Sequence, residues 1–442
     1  MYIQSVLDNL TKNYPHQPEF LQAASEVFCS IAPLLSKEPY YKQHRILERI
    51  SEPEKIIKFR IVWERDNGDI EINRGIRVQF NSALGPYKGG LRFESGVNLS
   101  TLKFLGFEQA FKNSLTGLML GGAKGGSDFN PKDKSDREIM RFCQAFIRAL
   151  SPHIGAHTDI PAGDIGVGER EIGYMFGEYK KISNRFDGSL TGKSPLFGGS
   201  FGRKEATGYG AVYFAKAMLE ASQMELSGKT CIVSGSGNVA IYAMEKLVSF
   251  GAKVIACSDR GGVLIDKNGV DTKLLKKIKE QNREPLHSYT SRAKAEFYPN
   301  GVLKISHIPC EYAFFCATQN EVDIIDAKIM INNSVKAVVE GANMPLSNEA
   351  ANALIAANIL YAPSKAANAG GVAVSGLEMG QDALFFQTPP NEVEAKLKQI
   401  MQNIFDECAT AAAEYNEPKN LKMGANIAGF KRVADAMIKQ GL

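Results

Sequence analysis

Residues 230–250 can adopt very few arrangements. An apolar run, Thr230-Cys231-Ile232-Val233-Ser234, meets the turn Gly235-Ser236-Gly237-Asn238-Val239-Ala240, and a helical pattern over 239–250 follows. The turn fits G-x-G-x-x-G/A, a pattern that acquires meaning when a strand precedes it and a helix follows. Its glycines let backbone N–H groups approach a pyrophosphate, whose charge a helix N-terminus favours. A second strand, Lys253-Val254-Ile255-Ala256-Cys257-Ser258, ends at Asp259, where the partner of a ribose hydroxyl is expected. Apolar runs at 311–317, 335–339 and 359–361 would complete a parallel sheet, with helices over 205–222 and from 391 onwards. Asp259 suits NAD, yet Ser258 and Arg260 flank it, and an arginine there can receive a 2′-phosphate. With Ala240 closing the turn, NADP is the expected dinucleotide and NAD the alternative.

The first half of the chain reads differently. Residues 1–50 carry apolar positions at helical spacing. From Lys58 to Phe80 the period approaches two, around a segment containing Asn67-Gly68, which reads as a hairpin or meander. Helices are expected over Ser100–Leu115 and Asp136–Leu150. The glycine-rich stretch 186–202 is the candidate linker. Length sets the frame: 442 residues suggest two or three domains.

Several polar motifs lie in that half. Gly121-Gly122-Ala123-Lys124-Gly125-Gly126 cannot be a helix interior, since each glycine there costs about 1 kcal/mol relative to alanine. A thin backbone of this kind leaves little bulk to keep a ligand from the Lys124 amine. Lys88 lies in Pro86-Tyr87-Lys88-Gly89-Gly90-Leu91-Arg92 and reads as part of a glycine turn. Gln109 and Lys112, three apart on a helix, share a face and can converge on one anion. Asp164 sits in Pro161-Ala162-Gly163-Asp164-Ile165-Gly166-Val167-Gly168. Three lysines suit a dianionic acid, and one carboxylate among them suits proton transfer. Taken singly, Lys124 also fits a surface turn and Gln109 or Lys112 a solvated helix face.

Other classes are excluded or disfavoured. Net charge is +4 with no block of like charge, which gives no argument for nucleic acid. No apolar run is long enough for a membrane helix, and the first residues do not resemble a signal peptide. The seven cysteines form no CxxC pair, so neither a disulfide framework nor a metal site is indicated and a reduced, cytoplasmic setting is expected. Gly192-Lys193-Ser194 looks like the end of a P-loop, but Asp187 stands where its first glycine is needed.

Together these segments resemble the glutamate dehydrogenases of the short, bacterial-type hexameric class. The marks are Gly85–Arg92, Lys103–Gln109, Gly121–Gly126, Pro161–Gly168, Glu205–Gly210, Ala317-Thr318-Gln319-Asn320 and Glu340-Gly341-Ala342-Asn343. The resemblance implies an α/β chain of two domains with an active-site cleft between them: an N-terminal substrate and oligomerisation domain over 1–195, and a Rossmann-type domain over 196–442 whose last helix (about 418–442) packs back on the first. It implies reversible oxidative deamination of L-glutamate to 2-oxoglutarate and ammonia, with NADP as coenzyme and a homohexameric assembly. Lys124 would be the catalytic lysine and Asp164 the proton-transfer carboxylate. Lys88 and Ser375 would bind the substrate's side-chain carboxylate, and Gln109 and Lys112 its α-carboxylate, with Gly89, Ala162, Gly163, Arg203 and Val372 completing the substrate site. Lys88 and Ser375 lie almost 290 residues apart, a separation that two domains facing one cleft would explain. Thr207, Gly235, Ser236, Gly237, Asn238, Val239, Asp259, Ala317, Thr318 and Asn343 match coenzyme positions, and Lys132 matches a lysine that reaches the 2′-phosphate in NADP-using members.

Three positions depart from the family pattern. Phe315 replaces a proline, His307 a tryptophan, and Arg283, followed by Glu284-Pro285, is no clean counterpart of an arginine that assists the 2′-phosphate. Leucine-, valine- or phenylalanine-type dehydrogenases, which lack the lysine–serine pair, and a catalytically inactive regulatory homologue are the competing readings.

Overall fold

A computed structural model describes residues 2–441. The chain divides into two compact units. Unit 1 is Met1–Arg203, Val372–Val393 and Asn426–Leu442, and unit 2 is Lys204–Gly371 and Glu394–Ala425. The boundary therefore falls at Arg203, and the stretch 186–202 expected as a linker belongs to unit 1. Residues 372–393, expected with the second domain, also belong to unit 1. Buried Ser189, Thr191 and Lys193 explain why 186–202 is no linker: its glycines serve packing.

Unit 1 opens with short helices and then builds a five-stranded sheet from β1 (Lys55–Glu64), β2 (Ile70–Asn81), β3 (Tyr87–Phe93), β4 (Gly122–Ser127) and β5 (Asp159–Gly163). The order is β1-β2-β4-β3-β5; β2 pairs antiparallel with both β1 and β4, whereas β3 pairs in parallel with β4 and β5. The hairpin expected over 58–80 is β1–β2, and the expected helices appear at Leu99–Leu115 and Asp136–Leu150. The latter starts with a capping box of Ser135 and Glu138 and stacks Phe142 on Phe129 beneath the sheet.

One expectation fails in an informative way: Lys88 lies inside β3 rather than in a glycine turn. Gly121–Gly126, which could not be a helix interior, is largely the central strand β4, buried throughout. Glycine in a strand usually weakens it, and here close approach is the reason it is present. A Cβ on Gly122 would stand 2.6 Å from Ala110 Cα on the 99–115 helix, and one on Gly89 would overlap the Ala123 carbonyl. A Cβ on Gly125 would lie 2.8 Å from Arg77 Cδ. The bare strands thus admit a helix on one neighbour and a long cation on another.

That cation is fully buried. Arg77, on β2, reaches Asp159 at the start of β5 with Nε at 2.9 Å and with its second terminal nitrogen, and donates to Gly89 O at 3.1 Å. Gln79 donates to the same carboxylate at 2.9 Å.

Unit 2 holds a seven-stranded sheet of order β12-β11-β10-β6-β7-β8-β9. Its strands are β6 (Thr230–Ser234), β7 (Lys253–Asp259), β8 (Gly262–Ile265), β9 (Glu296–Pro299), β10 (Tyr312–Phe315), β11 (Ala337–Glu340) and β12 (Leu360–Ala362). The five expected strands β6, β7, β10, β11 and β12 are parallel, and β8 and β9 add an antiparallel edge. Order reverses at β6, between β7 and β10, which is the switch point where doubly wound sheets bind ligands.

Removing one partner of a buried ion pair leaves an uncompensated charge. Arg77→Met is expected to destabilise the protein by about 3–5 kcal/mol in urea unfolding. Adding Asp159→Leu should restore much of that loss; a double variant as unstable as the single one would deny the pair its role.

Candidate active site and coenzyme site

In unit 1 the polar residues gather at neighbouring strands. Lys124 Nζ donates to Asp164 Oδ1 at 2.7 Å, and Arg92 Nε donates to Asp164 Oδ2 at 2.8 Å. Burial would raise the Asp164 carboxyl, but Lys124 and Arg92 outweigh it and hold the group well below the usual carboxylate range. Burial, with Arg92 and Arg77 nearby, moves the Lys124 ammonium below its ordinary value against the pull of Asp164. Gly90 lies over this pair, where a Cβ would come 2.9 Å from Asp164 Cβ and 3.3 Å from Lys124 Nζ. Access to both groups therefore depends on that missing side chain.

Lys88 is almost fully buried, and Nζ donates to Ile160 O at 2.9 Å and Thr191 Oγ1 at 2.7 Å. An ammonium carries three N–H bonds, so one remains beyond these two partners. Burial first, then Arg77 and Arg203, push its pKa well down, while Glu378 and Asp159 oppose the shift. Ser375 is buried on the helix Gly370–Leu384, where Val372 shares its face, and Arg203 Nε donates to its hydroxyl at 2.9 Å. Lys88 and Ser375 therefore belong to the same unit, which corrects the expectation that two domains supply them. Gln109 donates to Asn113 at 2.6 Å, and Asn113 in turn donates to the carbonyls of Lys88 and Gly121. Lys112 lies partly exposed on the same helix, and Ala162 and Gly163 end β5 beside Gly90 and Leu91.

The 190–193 segment was not singled out from the sequence for this site. Thr191 N–H donates to Pro161 O, so the segment runs beside β5 and carries Thr191 Oγ1 to Lys88. It is anchored by Glu378, one turn after Ser375, which accepts the N–H groups of Gly192 and Lys193. Lys193 Nζ is committed to Leu190 O, Glu378 and Asp382. That explains the P-loop look-alike: its lysine is a strut.

In unit 2 the glycine turn has the form expected of an anion cradle. Gly235 has φ +90°, a left-handed conformation that favours glycine, and its Cβ would meet Ala317 Cα at 3.2 Å and Ala240 Cβ at 3.3 Å. Ser236 and the extended Gly237 then lead into the helix Asn238–Ser249, whose first turn contains Val239 and has no side-chain cap. Its first amides thus have no side chain to satisfy them, which fits a pyrophosphate. Thr207 begins the helix Ala206–Ala221, and Thr318 follows Ala317 after β10. Asn368 donates to Asn343 Oδ1 at 2.9 Å and fixes its amide.

Beside the turn, Ser258 Oγ accepts the Gly235 N–H at 2.9 Å, so this hydroxyl also serves the turn. Asp259 is occupied as well: it accepts the N–H groups of Gly261 and Leu286 and pairs with Lys279 at 3.2 Å. Lys279 was missed in the sequence, where it is one of several lysines between 273 and 279. Arg260 is exposed next to the pair, and Lys132 is exposed in unit 1 after β4. Among the described residues no group of His, Cys, Asp and Glu is arranged to hold a metal.

Comparison with known proteins gives the family. Residues 53–181 match the Glu/Leu/Phe/Val dehydrogenase dimerisation domain, and residues 198–441 match the Glutamate/Leucine/Phenylalanine/Valine dehydrogenase domain. The chain belongs to this dehydrogenase family. It is 56% identical to the NADP-specific glutamate dehydrogenase of Helicobacter pylori over 100% of both chains. It is 48% identical to the NAD-specific glutamate dehydrogenase of Clostridium symbiosum, over 100% of this chain and 99% of the other. The crystal structure of Plasmodium falciparum glutamate dehydrogenase superposes with a TM-score of 0.97 at 51% identity, covering 100% of this chain and 95% of that one.

The Lys88 shift fixes the sign of a pH effect. A lysine whose folded pKa is depressed is bound by fewer protons folded than unfolded, so stability rises as pH climbs from the folded value toward ~10.4. The stability of wild type relative to Lys88→Met should therefore increase between pH 7 and pH 10 in denaturant titrations. A difference that stays flat or falls would show that Lys88 is held as comfortably as a solvated lysine.

Proposed function

We propose that the protein catalyses the reversible oxidative deamination of L-glutamate to 2-oxoglutarate and ammonia with NADP, in the cytoplasm and as a homohexamer. The single observation that carries the reading is the Lys124–Asp164–Arg92 cluster beside buried Lys88, because a dicarboxylate with an α-amino group needs cations for its ends and a base for its nitrogen. Lys88 and Ser375 provide the cation and the donor that offset the desolvation of a side-chain carboxylate. Gln109 and Lys112 are the groups for the α-carboxylate. The matched dimerisation domain supports assembly, and no helix among the described residues is long and apolar enough to cross a membrane.

NADP, when bound, accepts the hydride from the substrate Cα. The glutamate nitrogen must first be a neutral amine, and Asp164, held ionised by Lys124 and Arg92, takes its proton. After oxidation the nitrogen is an iminium, and water attacks its carbon. Lys124, with its pKa lowered by burial and by Arg92, is suited to take a proton from that water and to stabilise the oxygen that becomes the keto group. Asp164 returns its proton to the nitrogen, ammonia leaves as the C–N bond breaks, and the proton left on the oxygen passes to that ammonia while Lys124 releases its own to solvent. The separation of tasks follows from charge: the ionised carboxyl is the acceptor, and the lysine, its pKa lowered by burial, gives up its proton more readily than a solvated one.

On the coenzyme side, Asp259 alone would repel a 2′-phosphate. Its pairing with Lys279 and the adjacent Arg260 convert the end of β7 into a site that can receive one. A spectrophotometric assay with 2-oxoglutarate and ammonium should show NADPH preferred over NADH by at least about tenfold in kcat/KM, or ~1.4 kcal/mol. Lys279→Ala should weaken NADPH far more than NADH; equal loss with both coenzymes would deny it the phosphate.

Lys124→Ala is expected to lose turnover while retaining NADPH binding measured by fluorescence. A variant keeping a tenth or more of wild-type kcat would remove Lys124 from the chemical step.

A further inference from the structure

Glu321 takes no part in the assignments above. It follows the Ala317–Asn320 run after β10 in unit 2 and is half-buried. Its Oε1 accepts the Ser234 hydroxyl at 2.8 Å and the N–H groups of Ala317 and Thr318 at 3.2 and 3.4 Å. Ser234 ends β6 immediately before Gly235, and its Oγ also accepts the N–H groups of Cys316 at 2.8 Å and Ala317 at 3.2 Å. One carboxylate therefore ties the glycine turn to the loop after β10. These two loops form the floor on which a dinucleotide would rest.

The surroundings make this carboxyl responsive. Burial raises it to about 7 even though three donors favour the anion. The titratable groups that face it are Cys316 at the end of β10, whose thiol burial pushes up, and Glu340 at the end of β11. Glu340 is itself raised by burial and accepts the N–H groups of Leu346 and Ser364. From β6 the facing group is the neutral Ser234 hydroxyl. A pyrophosphate at the start of the Asn238–Ser249 helix brings negative charge to the turn that Glu321 holds, and like charges disfavour ionisation.

We propose that dinucleotide binding raises the proton occupancy of the Glu321 carboxyl, with the proton drawn from solvent, so that coenzyme binding and protonation of this carboxyl are linked. The proposal rests on reading unit 2 as the coenzyme site. The protonated carboxyl keeps an oxygen to accept the Ser234 hydroxyl and the two amides, so the loops stay joined while the charge is removed. Linkage is reciprocal: if the bound anion favours the proton, the proton favours the anion by the same factor. Coenzyme affinity is then greatest below about pH 7 and falls as pH rises through the bound-state pKa.

Calorimetric titration of the full chain with NADPH alone, at pH 7 in buffers of different ionisation enthalpy, counts the protons taken up per site. The 2′-phosphate of NADPH also titrates near neutrality, so the quantity to read is wild type minus Glu321→Gln, in which that contribution cancels and an acceptor oxygen remains. Wild type is expected to take up about half a proton more than the variant. Its Kd should also rise up to about tenfold more steeply between pH 6.5 and 8.5, as a one-unit shift requires. Equal proton counts in two proteins that both bind NADPH would overturn the linkage and leave the coenzyme reading intact. Failure of wild type to bind NADPH would overturn both. Should Glu321→Gln not fold, Ser234→Ala removes a donor that favours the anion, and the uptake should move to higher pH; an unmoved profile would equally overturn the proposal.

Discussion

The Arg77–Asp159 pair is the interaction on which unit 1 depends. A guanidinium on β2 can pass the neighbouring strand β4 towards β5 only where β4 carries no side chain in its path, and Gly125 meets that condition. The same bareness lets the 99–115 helix settle against Gly122, which places Gln109 and Asn113 beside Lys88. Each feature would be unfavourable alone: glycine weakens a strand, and a buried charge costs several kcal/mol unless its partner is well placed. Together they are mutually supporting, since the glycines make room for the charge and the charge binds three strands that glycine leaves loose.

Electrostatics in the site follow from this frame. Arg77 is committed to Asp159 and the Gly89 carbonyl, yet its charge lowers both Lys88 and Lys124. With Arg92 and Arg203 also near, unit 1 concentrates cations that have few anions of their own. Asp164 is consumed by two of them, and Glu378 is spread over the 190–193 segment and Lys193. The remaining positive potential is what a dicarboxylate would complete, in a buried setting where each interaction exceeds its value in water.

How much of this was legible depended on whether the signal was local. The turn at 235–240, the parallel strands around it and the helix at 136–150 follow from periodicity and capping within short windows. At Gly121–Gly126 the glycines excluded a helix interior but did not disclose a strand, because local propensity says nothing of a helix and an arginine that need its empty face. Lys88, read as part of a glycine turn, was misplaced for the same reason. Ser375 was recognised by resemblance, but its membership of unit 1 depends on the chain returning after Gly371. Thr191 and Glu378 were invisible because their role is to hold one another's segments, 187 residues apart, against β5. Lys279 sits among other lysines, and only its pairing with Asp259 distinguishes it.

Unit 2 solves a different electrostatic problem from unit 1. Its ligand is polyanionic, yet acidic side chains stand close to the proposed cradle. Asp259 is offset by Lys279 and two backbone N–H groups, an arrangement that keeps it ionised while reducing its repulsion of a nearby phosphate. Among the described residues Glu321 accepts from a neutral hydroxyl and two amides, and its burial favours the protonated form. One acid is thus compensated by a fixed cation, and the other by a proton that solvent can supply. A fixed cation sets which coenzyme fits, whereas a titrating group makes affinity depend on conditions. The two devices act at opposite sides of β6, the strand at which the sheet order reverses, so they bear on different parts of one ligand.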